Sequence, residues 1–115
     1  MDRASAVVRE GWINKESRFM KKWRRRWLVL TNTQLCTYKT ERSYSSPTET
    51  VVLKDCSTVK SAEEDTNQPF SFRVETAARV FFFVAQDASD KEGWIGAIGR
   101  MMVRPTVMQE EAGEA

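Results

Sequence analysis

The sequence predicts a mainly β fold: seven antiparallel strands bent into a barrel or sandwich, capped at one end by a single C-terminal α-helix. The chain has 115 residues, 41% of them hydrophobic and 30% charged, a composition that supports one folded core. Its first two thirds consist of short segments rich in β-branched and aromatic residues, separated by turn-forming breaks. Apolar residues at helical spacing occur only near the C-terminal end.

The first three strands are predicted from the N-terminal part of the chain. Residues 8–15 and 23–31 are rich in β-branched and aromatic side chains, which favour strands. The polar and basic residues 16–22 between them indicate a long hairpin loop. A tight turn at residues 31–33 leads into a third strand at 34–39.

Four more strands follow a break that contains serine and proline at residues 43–47. Their short connections favour antiparallel hairpins, so most of the sheet is expected to be antiparallel. The four predicted strands are residues 50–53, 57–60, 70–75 and 79–85.

A single helix is predicted over residues 88–103. Trp94, Ile98 and Met102 are spaced so that they share one helical face, and Pro105 is expected to end the helix. The predicted strands and helix divide the chain into three segments. Residues 1–6 form an N-terminal extension, residues 7–103 form the domain, and residues 104–115 form an acidic tail or the start of a linker.

Composition argues against most enzyme classes. The chain has no histidine, which is the commonest general base and zinc ligand. Cys36 and Cys56 are too far apart for a C-x-x-C pair, and neither a nucleotide-binding glycine motif nor a nucleophile elbow is present. We therefore predict a non-catalytic binding module without cofactor or metal. Because the chain shows neither a long apolar run nor a secretory signal, we expect it in the cytoplasm.

Positive charge is concentrated in the first hairpin. The chain carries a net charge of +2, but from Arg9 to Arg26 eight basic residues face two acidic ones, a local +6. Three glutamates lie in residues 110–115. The hairpin is therefore expected to bind an anion, which could be a phosphorylated lipid, an acidic peptide or nucleic acid.

Strand alternation places three of these cations on one face. Arg24 and Arg26 share a face with Leu28, and Lys15 shares a face with Ile13. If the sheet curls, the apolar residues fill its interior and the three cations converge at the open mouth, beneath the hairpin loop. Such a cluster suits a compact ligand with several phosphates.

The hairpin resembles the opening of a pleckstrin-homology (PH) domain. The matching sequence runs are EGWINK at residues 10–15 and KKWRRRWLVL at residues 21–30, and Trp94 resembles the tryptophan of the family's C-terminal helix. The resemblance covers about residues 7–103 and implies the seven-stranded fold with its capping helix.

The resemblance also implies a ligand site. Members that bind inositol phosphates have a lysine on the first strand and the pattern [K/R]-x-R-x-hydrophobic on the second. Lys15, Arg24, Arg26 and Leu28 match these positions.

Within the family, the hairpin is most similar to that of the N-terminal domain of protein kinase B. Residues 11–30 align with that domain without a gap, which implies selectivity for 3-phosphorylated inositides. The similarity also implies phosphate contacts at Lys21, at Lys54 near a family asparagine, and at Arg79 near a later family arginine. It leaves open that a kinase domain follows the acidic tail.

The tip of the hairpin loop is predicted to contact the membrane. Phe19 and Met20 are expected to enter the lipid interface while Arg18, Lys21 and Lys22 meet anionic headgroups. The alternative is that the two apolar residues simply pack within the loop.

These features predict a monomeric phosphoinositide-binding module that recruits its protein peripherally to membranes such as the plasma membrane. The main alternative is an interaction domain of the same fold that binds acidic or phosphorylated peptides. Nucleic acid is the less favoured partner. A nucleic-acid site would need basic and aromatic residues interleaved across an exposed sheet face. Trp23 and Trp27 do alternate with Arg25 on the other face of the second strand, but these tryptophans are expected to be packing residues.

Overall fold

The computed structural model describes residues 6–17 and 20–114, with side chains as far as residue 103. Within these residues, seven strands and two α-helices form the fold. The strands are β1 (Val7–Glu16), β2 (Trp23–Thr31), β3 (Gln34–Tyr38), β4 (Glu49–Val52), β5 (Cys56–Ser61), β6 (Ser71–Thr76) and β7 (Val80–Val84). The helices are α1 (Glu63–Thr66) and α2 (Ala88–Glu114), and a 3₁₀ turn, Leu53–Asp55, links β4 to β5. The predicted fold class, an antiparallel sheet of seven strands with a C-terminal helix, is confirmed.

The strands form one sheet in the order β4-β3-β2-β1-β7-β6-β5. Strand β1 pairs with β2 along its length, but with β7 only at Asn14↔Val84 and Lys15↔Phe83. The first and last strands of the chain are therefore joined at the end of β1 that leads into the hairpin loop. This pairing brings the β1–β2 loop and the β6–β7 turn to the same end of the sheet.

One apolar core lies between the concave face of the sheet and α2. Trp94 from the helix is fully buried there, together with Leu28 and Leu30 from β2 and Phe72 from β6. Burying a side chain of this size contributes about 1.5–3 kcal/mol, so this cluster is the main source of stability. Ile13 is also buried in it, as its phase with Lys15 predicts.

A second cluster packs on the opposite face of β1, β2 and β3. Trp27 and Tyr38 are buried there, and Trp12 packs edge-on against Trp27 with ring centroids 5.2 Å apart. The Glu10 carboxylate accepts hydrogen bonds from Trp27 Nε1 at 2.9 Å and from the Tyr44 hydroxyl at 2.6 Å. Trp27 is thus a packing residue of the hairpin.

Helix α2 extends beyond its predicted end. It continues to Glu114, so the expectation that Pro105 ends it near residue 103 is wrong. An interior proline removes one backbone hydrogen bond and crowds the carbonyl four residues earlier, at a cost of about 3 kcal/mol, but its fixed φ is that of a helix. Within the described part of the chain, no helix is long and apolar enough to cross a membrane.

The start of α2 is attached to β1 through Arg9. The Arg9 guanidinium lies 2.9 Å from Asp90 and 5.1 Å from the centre of the Trp94 ring. It occupies the space where a side chain at Gly93 would stand, because a Cβ atom there would lie 2.5 Å from Arg9 Nη1. A glycine at this position therefore leaves room for the Arg9 side chain against the helix.

Helix α1 lies between the predicted strands 57–60 and 70–75, where no element was predicted. Glu63 at its start accepts a hydrogen bond from the Phe70 backbone N–H at 2.8 Å and lies 3.2 Å from Lys91 of α2. The hydrogen bond from Phe70, followed by that from Lys91, lowers the pKa of Glu63. This carboxylate therefore links the β5–β6 connection to the C-terminal helix.

Candidate functional site

The three predicted cations lie in one cleft at the loop end of the sheet. The cleft has a volume of about 300 Å³ and is lined by Lys15, Ser17, Arg24, Arg26, Thr48, Glu49 and Arg79. Its residues come from β1, from β2, from the start of β4 and from the turn before β7. Four cations and one carboxylate give the cleft a net charge of +3.

Strand register brings the cations together. Lys15 lies directly opposite Arg24, and Ile13 lies opposite Arg26 in the antiparallel β1–β2 pair. Side chains two apart on a strand share a face, so Arg24 and Arg26 point to the same side as Lys15. The apolar residues further along that face, Leu28 and Leu30, are fully buried. The basic mouth above an apolar interior was predicted from this alternation.

A carboxylate that the sequence did not indicate lies among the cations. Glu49 Oε1 is 2.5 Å from Lys15 Nζ, and Glu49 Oε2 accepts a hydrogen bond from Arg79 Nη1. The side chains of Lys15 and Arg79 are only 11% and 16% exposed, so both cations are held at the base of the cleft. Phe81 supports Arg79 from below, with the guanidinium carbon 4.2 Å from the ring centre.

The other two cations, Arg24 and Arg26, are not engaged by a carboxylate in the described part of the chain. Within the described residues, neither Arg24 nor Arg26 forms an ion pair with an acidic side chain. Arg24 is exposed, and half-buried Arg26 donates one hydrogen bond from Nη1 to the Arg25 carbonyl at 2.8 Å. Most of the guanidinium donors of this pair are therefore available to an anion in the cleft.

Lys21 lies beside this cleft rather than in it. It is exposed and lines an adjoining cleft with Glu16, Arg79 and Phe82. Arg79 lines both clefts. The structure therefore places Lys21 and Arg79, two further cations that were predicted to contact phosphates, at the same end of the sheet.

Lys54 lies at the other end of the sheet, and its expected place in the phosphate site is wrong. It belongs to the 3₁₀ turn after β4 and lines a groove with Thr33 and Met102. Thr33 follows the end of β2 opposite to Arg24, about 20 Å away at the rise of an extended strand. Strand β4 runs away from the mouth, from Glu49 opposite Thr37 to Val52 opposite Gln34, so the turn that follows it lies at the far end of the sheet.

The hairpin loop is described only in part. Met20 is 59% exposed and Lys22 is also exposed, as a membrane contact would require. The loop is closed by a hydrogen bond from Ser17 N to the Lys22 carbonyl at 2.7 Å and by another from Lys22 N to Ser17 Oγ at 3.2 Å. The predicted contacts Arg18 and Phe19 lie outside the described residues.

Three lining residues were missed by the sequence analysis, namely Ser17, Thr48 and Glu49. Thr48 is held by a 2.7 Å hydrogen bond between its hydroxyl and that of Thr37 on β3. The preceding break was predicted at residues 43–47 and the fourth strand from residue 50, so Thr48 and Glu49 were assigned to neither. Strand β4 begins one residue earlier, and its pairing of Glu49 with Thr37 directs the carboxylate toward the cleft.

Comparisons with known proteins agree with this architecture. The family model described as PH domain matches residues 7–103. Pleckstrin homology domain-containing protein 1 of Arabidopsis thaliana is 38% identical over 100 residues, which span 84% of this chain and 69% of that protein. Pleckstrin homology domain-containing family A member 7 of Danio rerio is 31% identical over 112 residues, but these span 93% of this chain and only 9% of that protein.

Solved structures show the same fold. The solution structure of a pleckstrin homology domain superposes with a TM-score of 0.74 at 26% identity, covering 84% of this chain and 86% of that one. The C-terminal PH domain of pleckstrin superposes with a TM-score of 0.72 at 24% identity, covering 84% of this chain and 96% of that one.

Proposed function

The chain belongs to the PH domain family, and on that premise we propose that it is a non-catalytic module that binds phosphoinositide headgroups and recruits its protein to membranes. The observation that carries this proposal is the cleft in which Lys15, Arg24 and Arg26 converge. Its two arginines have no acidic partner among the described residues, and forked guanidinium donors suit phosphate oxygens.

Two features support a headgroup attached to a membrane as the ligand. The cleft opens beside the hairpin loop, where Met20 and Lys22 are exposed. An apolar side chain flanked by cations favours the boundary between anionic headgroups and lipid tails. Lys22 and Met20, with the predicted contacts Arg18 and Phe19, would then touch the bilayer while the cleft holds the headgroup.

The preferred ligand in this proposal is a 3-phosphorylated inositide. The gapless similarity of residues 11–30 to the N-terminal domain of protein kinase B supports this choice. Arg24 and Arg26 would bind the ring phosphate, with Lys15 beside them. Lys21 would contact the headgroup at the edge of the cleft, and Arg79 would face it from the base, where it also binds Glu49. Recruitment would take the protein from the cytoplasm to membranes such as the plasma membrane.

Relatives of the same fold have been solved with phosphorylated ligands of two kinds. The C-terminal PH domain of pleckstrin was crystallised in complex with D-myo-Ins(1,2,3,5,6)P5, and the Slm1 PH domain in complex with phosphoserine. The guanidinium groups of Arg24 and Arg26, which form no ion pair among the described residues, would bind a phosphate monoester from either source. A phosphorylated peptide is therefore the competing ligand.

Calorimetric titration with soluble inositol phosphates tests the proposal. The ligands differ in the 3-, 4- and 5-phosphates, and a phosphoserine peptide is titrated in parallel. We expect saturable binding that requires the 3-phosphate and that Arg26→Ala weakens about tenfold or more, since it removes charge-assisted hydrogen bonds.

The matched control is Arg100→Ala, which removes an exposed arginine of α2 outside the cleft. It should bind like the wild type, and both variants should unfold at nearly the wild-type temperature. Folded protein that binds no inositol phosphate would contradict the proposal. Saturable binding of the phosphoserine peptide alone would favour the peptide-binding alternative.

A further inference from the structure

A single carboxylate divides the four cations of the cleft into two pairs. Glu49 uses one oxygen to bind Lys15 and the other to bind Arg79. Arg24 and Arg26 have no such partner within the part of the chain that the structure describes. The cleft therefore offers one vacant pair of cations and one pair that is already neutralised in part.

Glu49 is well placed to remain where it is when a ligand enters. It begins strand β4 and pairs with Thr37 of β3, so its backbone is part of the sheet. Its side chain is only 23% exposed, and both cations that hold it are largely buried. An anion can reach Arg24 and Arg26 without breaking either of these ion pairs.

Among the four cations that line the cleft, a second phosphate on the neighbouring ring carbon finds no equally favourable pair. To reach Lys15 or Arg79 it must displace the Glu49 carboxylate or lie against it. Like charges a few ångströms apart repel strongly where the effective dielectric constant is about 20. The usual gain in affinity from each added phosphate should therefore be cancelled or reversed in this cleft.

We propose that Glu49 is a specificity-determining residue that favours headgroups with a single free ring phosphate over headgroups with vicinal phosphates. This inference rests on the proposed function and narrows the ligand class of the same site. It assigns recognition of the single phosphate to Arg24 and Arg26, and it assigns exclusion of the second phosphate to Glu49.

The test compares wild type with Glu49→Gln, which keeps the shape of the side chain and removes its charge. Both proteins are titrated with soluble inositide headgroups that carry one, two or three ring phosphates in addition to the glycerol-linked phosphate. The wild type should bind the singly phosphorylated headgroup at least as tightly as the others. Glu49→Gln should gain about tenfold or more in affinity for vicinal phosphates and less than about threefold for the single phosphate.

The control is Glu41→Gln, which removes the charge of an exposed glutamate that contacts Arg42 and lies outside the cleft. This variant should bind the headgroups in the same order of affinity as the wild type. Two results would overturn the inference: a wild type that binds vicinal phosphates most tightly, or an equal gain for every headgroup in Glu49→Gln.

The order of the wild-type affinities for the three kinds of headgroup tests the inference even if Glu49→Gln fails to fold. A reversed ranking with clear binding overturns only the role of Glu49. Folded wild type that binds no headgroup at all overturns the proposed function, and this inference with it.

Discussion

At the scale of single residues, two glutamates join parts of the chain that are distant in sequence. Glu49 connects β1 to the turn before β7 through Lys15 and Arg79. Glu63 connects the β5–β6 segment to α2 through the Phe70 backbone and Lys91. Each carboxylate accepts charge-assisted hydrogen bonds, so its loss should be felt in both of the elements that it joins.

Glu63 should make the stability of the domain dependent on pH. Its pKa is lower in the folded protein than its ordinary value of 4.5, first through the hydrogen bond from Phe70 and then through Lys91. A carboxyl group with a lowered pKa stabilises the folded state fully above the pKa of the unfolded chain. This stabilisation is lost as the pH falls from about 4.5 through the lower folded value.

Urea unfolding of wild type and Glu63→Gln over a range of pH measures this effect. We expect the variant to be less stable at neutral pH and the difference to shrink below about pH 4.5. Glu64→Gln, which changes an exposed neighbour in the same helix, should be close to wild type throughout. A constant difference between wild type and Glu63→Gln down to the lowest pH would contradict the assigned role.

Residue-scale details of the cleft lay beyond what the sequence could predict. Side-chain alternation was sufficient to place Lys15, Arg24 and Arg26 on one face, because strand geometry fixes that relation. The partner of Lys15 depends on which residue the distant strand β4 presents, and Glu49 follows a proline-containing turn with no recognisable pattern. Contacts between long polar side chains from different hairpins require the tertiary fold.

At the scale of elements, the attachment of α2 to β1 depends on a glycine and an arginine. The Arg9 guanidinium fills the space above Gly93 and binds Asp90 at 2.9 Å. Alanine is favoured over glycine inside a helix by about 1 kcal/mol. At position 93 this gain should be offset, because the new methyl group must displace Arg9.

A double-mutant cycle tests this arrangement. Gly93→Ala should stabilise the domain by about 1 kcal/mol in an Arg9→Ala background and by clearly less in the wild-type background. Denaturant unfolding of the four proteins gives the coupling energy. If the two substitutions were simply additive, Arg9 would not occupy the space above Gly93 in solution.

Element types were easier to predict than element ends. All seven predicted strands overlap strands of the structure, because alternating apolar residues mark them locally. The helix end was wrong, since Pro105 is accommodated within α2. Helix α1 was missed because its four residues are too few to show helical periodicity. Lys54 was misplaced because β4 runs away from the mouth of the cleft, so the turn after this strand lies at the opposite end of the sheet.

At the scale of the whole molecule, charge and shape act at the same end of the domain. The cleft, the hairpin loop and the adjoining Lys21 all lie where β1 meets β2 and β7. In the proposed function, this clustering sets a single orientation on an anionic surface, with the hairpin loop toward the lipid. Two effects should therefore act together. General attraction requires only a negatively charged surface, whereas specific recognition requires a headgroup that the cleft binds.

The central claim is that the cleft recognises a phosphoinositide headgroup, and co-sedimentation with lipid vesicles tests it most directly. Two vesicle populations are matched in total surface charge; one contains a 3-phosphorylated phosphoinositide, and the other contains only phosphatidylserine as anionic lipid. We predict that wild type binds the phosphoinositide vesicles about tenfold or more tightly and that the double substitution Arg24→Ala/Arg26→Ala removes this preference. Equal binding of wild type to the two vesicle populations would contradict the claim, because attraction to surface charge alone would then explain the association.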